Sequence, residues 1–215
     1  MSILIPARFK LLKKHMRQTE FKMLDVGCGS HSASITKKWF PSCAYYGIDR
    51  TRSYENDERD FRLMDGFFEI DLTSIDYDEV PNAFFDVIVM SHVIEHLQNG
   101  DRVLEHMMAK LKENGFVYLE FPSRRSTKFP HMKGSLNFYD DPTHCRLYSI
   151  VELQEVLTRV GCTIMKAEVR RQWVRILLLP LKVLYSKWKV GYVEGGVFWD
   201  LFGFADYIFA QKRRS

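Results

Sequence analysis

The segment Leu24-Asp25-Val26-Gly27-Cys28-Gly29-Ser30 decides the fold of this 215-residue chain. A short apolar run at 22–26 leads into the two glycines, and a helix is predicted to follow from Ser32. Glycine is needed where the backbone turns tightly and a ligand approaches it closely. The segment therefore predicts a ligand-binding turn between a buried strand and a helix.

Acidic residues are predicted at the ends of three successive strands. Asp25 precedes the first glycine, Asp49 ends the second predicted strand, and Asp71 ends the third. Ligands of open α/β sheets bind at the carboxyl edge, and an acid after the second strand accepts hydrogen bonds from ribose hydroxyls. The spacing thus predicts a nucleotide site at this edge.

The charge of Asp25 distinguishes between two nucleotide cofactors. A dinucleotide-binding turn has a third glycine where this chain has Ser32, and a carboxylate sits poorly beside a pyrophosphate. It sits well beside an α-ammonium group and near a sulfonium. S-adenosylmethionine carries both positive groups, so the sequence favours this cofactor over NAD.

Short apolar runs alternate with helix-length segments, which is typical of βαβ units around a parallel sheet. Ser149 and Glu152 predict a capping box at the start of a helix that ends at Gly161. A single domain is expected over 1–215, with an N-terminal helical extension at 1–20. The other predicted helices cover 32–40, 101–112 (stopped by Asn114-Gly115) and 172–189 (broken at Pro180). The predicted strands cover 22–26, 44–48, 66–70, 84–90, 116–121, 162–169 and 204–210.

An ordered set of motifs resembles the class I S-adenosylmethionine-dependent methyltransferases. The resemblance is strong over 20–122 and loose over 149–212. The matching motifs are Leu-Asp-Val-Gly-Cys-Gly at 24–29, Gly-Ile-Asp at 47–49, Ile-Asp-Leu at 70–72, Phe-Asp-Val-Ile at 85–88, His-Val-Ile-Glu-His-Leu at 92–97 and Leu-Lys-Glu-Asn-Gly at 111–115.

This resemblance implies an α/β, Rossmann-like, doubly wound seven-stranded sheet in the order 3-2-1-4-5-7-6, with the last strand antiparallel and helices on both faces. It also implies the cofactor-binding residues. These are Asp25, Gly27, Cys28 and Gly29 in the glycine turn, Asp49 and Arg50 at the ribose, Asp71 and Leu72 flanking the adenine, and Ser91 and His92 closing over the cofactor.

The irregular segment 123–148 is expected to lie over the site on the acceptor side, because a loop of this length inside a domain is usually functional or disordered. His144 is the candidate general base, since an unperturbed imidazole titrates near neutrality. Tyr139 or Asp141 are candidate substitutes. The alternative is that His144 only holds the loop by hydrogen bonds. Arg146 either binds an acidic acceptor or pairs with the aspartates at 140 and 141.

The residues His92-Val-Ile-Glu95-His96 also match a zinc-hydrolase pattern, because histidines four apart share one helix face. The motif here follows a buried strand and needs a third ligand, so the expectation is that no metal is bound and that His96 is structural.

The segment 172–200 is rich in aromatic and basic residues. It is expected to act as an acceptor-side insertion that covers the pocket or forms the seam of a homodimer. A peripheral membrane contact is the alternative, because basic amphipathic helices rest on anionic lipid. The aromatic and basic residues of the segment 172–200 include Trp173, Trp188, Trp199, Arg175, Lys182, Lys187 and Lys189.

Charge, motifs and cysteine spacing indicate which partners and which compartment to expect. The net charge is +4, and the region 161–215 carries ten Lys/Arg against four Asp/Glu. No basic stripe or RNA-binding motif predicts a nucleic-acid partner. The four cysteines form no Cys-x-x-Cys pair, and no signal peptide or membrane span is predicted, so a cytoplasmic protein with free thiols is expected.

Three functions follow from these observations. The first is a methyltransferase that acts on a small polar metabolite, a sugar or a lipid-linked intermediate. The second is a catalytically inactive module with the same fold that binds the cofactor or a partner. The third is a zinc hydrolase, which requires the metal.

Overall fold

The computed structural model of the protein describes residues 5–16, 18–52 and 55–214. Strands and helices alternate there as the hydrophobic pattern predicts. The strands are β1 Lys22–Val26, β2 Ala44–Asp49, β3 Gly66–Glu69, β4 Phe85–Ser91, β5 Leu111–Pro122, β6 Cys162–Val169 and β7 Ala205–Lys212. The helices are α1 Ala7–His15, α2 Ser32–Trp39, α3 Glu58–Leu63, α4 Gly100–Lys110, α5 Ile150–Arg159, α6 Trp173–Leu177, α7 Leu179–Val190 and α8 Trp199–Phe202.

The strands form one seven-stranded sheet in the order β3-β2-β1-β4-β5-β7-β6. Strands β1 to β5 pair in parallel, and β7 runs antiparallel to both β5 and β6. The predicted Rossmann-like order is confirmed. Val26 is in register with Ile48 and Met90, so the turns that follow these three strands lie side by side at the carboxyl edge.

Alternate residues of the central strands face two separate hydrophobic clusters. In β4, Val87 and Val89 belong to the cluster under α1 and α2, whereas Ile88 and Met90 belong to the cluster under α4 and α5. Side chains of a strand point to opposite faces in turn, so a strand buried on both faces is apolar at nearly every position. The helices therefore cover both faces of the sheet.

Helix α1 packs directly on this core. Phe9 and Leu12 are fully buried, and the Phe9 ring meets the Phe40 ring edge to face at 5.5 Å. The predicted N-terminal extension is thus an element of the core over Ala7–His15, while its residues 1–4 and 17 lie outside the described residues.

Two predicted details at helix ends are wrong. Helix α4 ends at Lys110, before the predicted Asn114-Gly115 stop, because Leu111 is already extended and pairs with Phe85. Asn114, at a φ of 60°, lies instead within an irregular stretch of β5.

The capping box at α5 is only half formed. The Ser149 hydroxyl accepts the backbone N–H of Glu152 at 3.2 Å, as predicted. The Glu152 carboxylate does not return to Ser149 and instead accepts a hydrogen bond from Arg146 Nη2 at 2.5 Å. The Glu152 carboxylate therefore pairs with the Arg146 side chain and not with the backbone N–H of Ser149.

Helices α6 and α7 form an arm over residues 173–190, hereafter the α6–α7 arm. The predicted break is confirmed, since α6 ends at Leu177 and Pro180 lies in the first turn of α7. Proline has no N–H to give and is tolerated only in the first turn of a helix.

Candidate active site

The turn after β1 is shaped by the turn after β4. Gly27 has a φ of 72°, and its backbone N–H donates to the Ile48 carbonyl at 2.8 Å. A Cβ added to Gly27 would lie 2.2 Å from Val93 Cγ2. The close approach that requires this glycine is therefore made by the protein's own Val93.

Asp25 lies beneath the turn and is only 3% exposed. Its Oδ2 accepts hydrogen bonds from the hydroxyls of Ser32 and Tyr45, the latter at 2.8 Å. Burial raises the pKa of this carboxyl, and the charge of Arg8 opposes the rise. Asp25 thus connects the turn to α2 and β2, and its contact with a positively charged cofactor remains a prediction.

Cys28 contributes its backbone to the turn. Its thiol is fully buried in the cluster under α1 and α2, and burial raises the pKa of that thiol far above its ordinary value. The Cys28 carbonyl accepts a hydrogen bond from Asn56 Nδ2 at 3.2 Å, and the Gly29 carbonyl accepts the N–H of Ser32 at 3.2 Å. The turn is thereby held by α2 and by the segment before α3.

Asp49 ends β2, as predicted, whereas Asp71 lies two residues after the end of β3. Asp49 Oδ1 accepts the backbone N–H of Arg50 at 2.7 Å, and burial raises the pKa of the Asp49 carboxyl. Asp71 Oδ1 accepts both the hydroxyl and the backbone N–H of Thr73, which lower the pKa of its carboxyl. Asp71 thus caps the 3₁₀ helix Leu72–Ser74, and the Leu72 side chain is buried in the core.

Ser91 ends β4 at the centre of the carboxyl edge. Its hydroxyl oxygen is buried and has no hydrogen-bond partner among the described residues. A buried polar group without a partner costs free energy and is uncommon in folded proteins. No described residue supplies the partner of this oxygen, which leaves that role to a water or a ligand.

His92 lies between two buried carboxylates. Its Nδ1 is 3.2 Å from Glu95 Oε1 and its Nε2 is 3.1 Å from Glu120 Oε1. Burial favours the neutral ring, but the hydrogen bonds to Glu120 and Glu95 outweigh it and raise the pKa of His92 to about 9. The Trp199 ring lies 5.0 Å away. Protein groups thus hold this ring, and its contact with a cofactor remains a prediction.

The same network continues through Arg170. This guanidinium is 3.1 Å from Glu120 Oε1 through Nε and 3.3 Å from Asp200 Oδ1 through Nη1. Burial alone would raise the pKa of Glu120, but Arg170 and His92 lower it to about 2. The network therefore holds opposite charges at the edge of the sheet.

Residues 92–96 do not form the helical arrangement that the zinc-hydrolase pattern requires. Residues Ile94–His96 form a 3₁₀ turn, so His92 and His96 do not share the face of an α-helix. Both ring nitrogens of His92 face carboxylates. Among the described residues, the potential ligand group here is Glu95, His96 and His144, without His92.

The segment 123–148 is folded around Asp140. Its Oδ2 accepts the backbone N–H groups of Met132, Leu136 and Asn137, and its Oδ1 lies 2.7 Å from His131 Nδ1. These bonds close the segment into a fixed loop. Among the described residues, Arg146 forms ion pairs with Asp101, at 2.9 Å, and with Glu152. The alternative that Arg146 pairs with Asp140 or Asp141 is therefore wrong.

The chain after this loop returns to the turn that follows β4. The backbone N–H groups of Cys145 and Arg146 donate to the Glu95 carbonyl at 2.9 and 3.2 Å. His144 Nδ1 lies 2.6 Å from the Phe138 carbonyl oxygen, which can only accept, so this nitrogen carries the proton. In the neutral ring, His144 Nε2 is then the basic atom, 4.0 Å from Glu95 Oε1.

The two substitutes for His144 are placed differently. Tyr139 is 65% exposed. Asp141 Oδ1 accepts the hydroxyl and the N–H of Thr143, and these bonds lower the pKa of Asp141 although partial burial opposes them. Asp141 Oδ2 lies 3.8 Å from His144 Nε2. Of the three side chains, that of His144 is the most buried, at 6% exposed against 34% for Asp141.

Sequence reasoning missed Glu120 and Arg170 as site residues. Glu120 is a charged residue inside the apolar run of β5, and Arg170 directly follows β6. A charge within a buried strand needs a partner. That pattern predicts a buried pair, but it does not say which residues form it.

The α6–α7 arm exposes an apolar face. Lys182 Nζ donates to the Val197 carbonyl, and the Ser186 hydroxyl bonds the backbone of Tyr192 and Glu194, so the opposite face is the one that packs. The side chains turned to solvent are Trp173, Leu177, Leu181, Leu184, Tyr185 and Trp188, each more than half exposed. No helix in the described ranges is long and apolar enough to cross a membrane.

Two surface cavities flank β3. One of 420 Å³ lies at its carboxyl end, where Ile70, Asp71 and Ser74 line it. One of 380 Å³ lies at the opposite end, beside Pro41 and Met64. The first adjoins the predicted adenine site, and the second is remote from the residues described above.

The methyltransferase domain family matches residues 4–167 of the chain. No curated protein sequence matches the chain. Among solved structures, an S-adenosylmethionine-dependent methyltransferase of Archaeoglobus fulgidus aligns over 96% of this chain and 92% of its own, at 18% identity and a TM-score of 0.59. One of Mesorhizobium loti aligns over 96% and 98%, at 11% identity and 0.66.

A third structure holds the demethylated cofactor. Phosphoethanolamine N-methyltransferase 2 of Haemonchus contortus, in complex with phosphomonomethylethanolamine and S-adenosylhomocysteine, aligns over 95% of this chain and 51% of its own. Its identity is 16% and its TM-score 0.65. At such identities the likeness to solved structures concerns the fold.

Proposed function

The chain belongs to the methyltransferase domain family, and we propose that it transfers the methyl group of S-adenosylmethionine to an oxygen or nitrogen of a small polar acceptor. The unpartnered Ser91 hydroxyl, buried at the end of β4, carries this proposal. It lies next to the glycine turn in the sheet, because β4 pairs with β1. The acceptor class is a polar metabolite, a sugar or a lipid-linked intermediate.

The residues at the edge fit the cofactor. Asp49 ends β2 and carries the carboxylate suited to ribose hydroxyls, while the backbone of 27–29 faces the same edge. Ser91 offers a hydroxyl with no other partner among the described residues. When bound, S-adenosylmethionine supplies a methyl group already activated by its sulfonium.

The acceptor loses a proton as its oxygen or nitrogen gains the methyl group. His144 Nε2 is the atom that we assign to receive it, because the bond from Nδ1 to the Phe138 carbonyl fixes the ring. The side chain is 6% exposed, so the ring is largely shielded from bulk water. Orientation of acceptor and cofactor supplies much of the rate.

Calorimetric titration tests the cofactor site, and a turnover assay tests His144. We expect micromolar binding of S-adenosylmethionine and S-adenosylhomocysteine and no binding of NAD. With an acceptor found by screening, His144→Ala should lower kcat by about 10²-fold or more and leave cofactor affinity unchanged. His131→Ala, an exposed histidine of the same loop, is the matched control. Failure of folded protein to bind the cofactor would refute the proposal.

We further propose that the α6–α7 arm rests on an anionic lipid surface. Its exposed residues at 181, 184 and 188 follow helical spacing and form an apolar stripe along α7, and the exposed Leu177 ends α6. The arm contains four basic residues and no acidic one. Apolar area together with Lys and Arg is the combination that binds interfacial helices to anionic membranes. This placement suits a lipid-linked acceptor.

Sedimentation with lipid vesicles at low salt tests whether the α6–α7 arm binds anionic lipid. The protein should sediment with phosphatidylglycerol vesicles and not with phosphatidylcholine vesicles. Leu181→Glu and Trp188→Glu should abolish binding, whereas Val151→Glu, on the exposed side of α5, should leave it intact. If the arm is a dimer seam instead, sedimentation equilibrium will show a dimer that the two arm variants dissociate.

A further inference from the structure

Three potential metal ligands meet where the turn after β4 touches the segment 137–146. The carboxylate of Glu95 and the rings of His96 and His144 offer ligand atoms that all lie within 4.8 Å of one another. The two ring centroids are 4.8 Å apart. Two imidazoles and one carboxylate form a donor set that binds divalent transition metals and leaves coordination positions open.

Hydrogen bonds leave one nitrogen of each ring available to a metal. His144 Nδ1 donates to the Phe138 carbonyl. The Thr143 hydroxyl gives its single proton to Asp141 Oδ1 at 2.5 Å, so His96 Nδ1, 2.9 Å from Thr143 Oγ1, must donate to it. Each ring then presents Nε2 as an acceptor. Metal-binding histidines are commonly oriented by such a bond from the other nitrogen.

Glu95 supplies an oxygen that lacks a partner. The residue is 1% exposed, and its Oε2 has no hydrogen-bond partner in the described part of the chain. Its Oε1 is held by His92 Nδ1 at 3.2 Å. A buried carboxylate oxygen without a donor is costly, and a cation would provide the missing partner.

The backbone fixes the two sides of the cluster against each other. The Glu95 carbonyl accepts the N–H groups of Cys145 and Arg146, which immediately follow His144. Ligand atoms around a tetrahedral zinc ion lie about 3.3 Å apart, given metal–ligand bonds of about 2 Å. His144 Nε2 and Glu95 Oε1 lie 4.0 Å apart, so these two atoms would have to approach by less than about 1 Å.

From this arrangement we propose that Glu95, His96 and His144 bind a divalent transition-metal ion of the Zn²⁺ type. This replaces the sequence-based expectation that no metal is bound. The catalytic use of the ion rests on the proposed function, in which His144 Nε2 is the base of the metal-free protein. With the ion bound, that nitrogen is a ligand and accepts no proton, and the ion instead binds an acceptor hydroxyl and lowers its pKa. The proton passes to solvent. An electron pair of that oxygen forms the bond to the methyl carbon, and the carbon–sulfur bond breaks with its pair on sulfur, giving neutral S-adenosylhomocysteine.

A second group, His31, Asp57 and Asp60, lies equally close together, but the carboxylate oxygens of its two aspartates already accept hydrogen bonds. Both carboxylate oxygens of Asp57 accept hydrogen bonds from Arg59. Asp60 accepts bonds from His31 and Ser34. No carboxylate oxygen of this group lacks a partner as Glu95 Oε2 does, so its His31→Ala variant serves as a control.

Titration of the cofactor-free protein with Zn²⁺ and Mg²⁺ tests the proposal without any turnover assay. One equivalent of Zn²⁺ should bind tightly and Mg²⁺ weakly, because imidazole nitrogens favour zinc. His96→Ala and His144→Ala should each weaken Zn²⁺ binding at least about tenfold. His31→Ala and His131→Ala should bind as the wild type does. Glu95→Gln, which retains the shape of the side chain, is the milder variant if an alanine variant unfolds.

Absence of Zn²⁺ binding by folded wild-type protein would overturn the proposal. Binding that is lost in His31→Ala but kept in His96→Ala and His144→Ala would overturn it too. The cobalt form gives a second readout, since Co²⁺ in a low-coordinate nitrogen and oxygen site absorbs visible light strongly. If S-adenosylmethionine binds and Zn²⁺ does not, this inference fails alone. If Zn²⁺ binds and S-adenosylmethionine does not, the proposed function fails alone.

Discussion

Gly27 and Gly161 both have left-handed backbone conformations, yet their surroundings differ. A Cβ on Gly27 would overlap Val93 Cγ2, while nothing lies within 4 Å of the equivalent position on Gly161. Positive φ costs a non-glycine residue about 1–2 kcal/mol. At Gly27 this strain is joined by a steric overlap that must displace the turn after β4.

We therefore expect Gly27→Ala to destabilise the fold by about 3 kcal/mol, the sum of strain and overpacking. It should also weaken S-adenosylmethionine binding, because the two turns beside Ser91 move apart. Gly161→Ala should cost only about 1 kcal/mol. Urea denaturation and calorimetry provide the measurements.

Val93→Ala provides a second check on the cause. In the Val93→Ala background the overlap disappears, so Gly27→Ala should lower the free energy of unfolding by less than it does in the wild type. An equal loss of stability in both backgrounds would show that Val93 is not the obstacle.

At the scale of elements, the long segment between β5 and α5 is ordered by one carboxylate. Asp140 accepts three backbone N–H groups and is bonded to His131. Burial would raise the pKa of Asp140, but these hydrogen bonds lower it to about 2. A folded-state pKa below the unfolded value means that the carboxylate stabilises the fold above about pH 4.

Asp140→Asn should lower the free energy of unfolding by about 2 kcal/mol at pH 7. The difference between wild type and variant should shrink as the pH falls from about 4 towards 2, because the wild-type carboxylate then becomes protonated. Chemical denaturation at several pH values measures it. Asp76→Asn, at an exposed position, should have little effect. A difference that stays constant with pH would contradict this explanation.

At the scale of the whole molecule, Arg170 joins distant parts of the chain. It lies 8% exposed between Glu120 of β5 and Asp200 of α8. The Asp200 carboxylate also accepts the backbone N–H of Gln172, just before α6, at 3.0 Å. The network thus fastens the α6–α7 arm and α8 to the sheet.

Arg170→Met should cost about 3–5 kcal/mol, because it removes the cation of the buried Asp200 carboxylate and one of the two cations beside Glu120. The more exposed pair of Arg125 with Asp206 offers a control, and Arg125→Met should cost about 1 kcal/mol or less. Thermal unfolding compares the variants. Equal shifts in Tm would mean that burial of the Arg170 network adds nothing.

The fold was largely predictable because its determinants are local. The apolar run of β1, the glycines that follow it and the acids after β2 and β3 are each read from a few neighbouring residues. Parallel pairing then places the strand ends side by side. The end of α4 was mispredicted because a long-range strand pair, Leu111 with Phe85, outweighed the local Asn-Gly stop.

The sequence by itself determined the order of elements, the glycine turn, and the candidacy of Asp49, Ser91 and His144. Only the tertiary structure decided the partners of these residues. His92 contacts Glu120, which lies 28 positions away in the sequence. His144 lies 4.0 Å from Glu95, which is 49 positions away. Such pairs depend on how β4, β5 and the loop before α5 pack together. A local pattern therefore shows that a buried charge needs a partner but cannot name it.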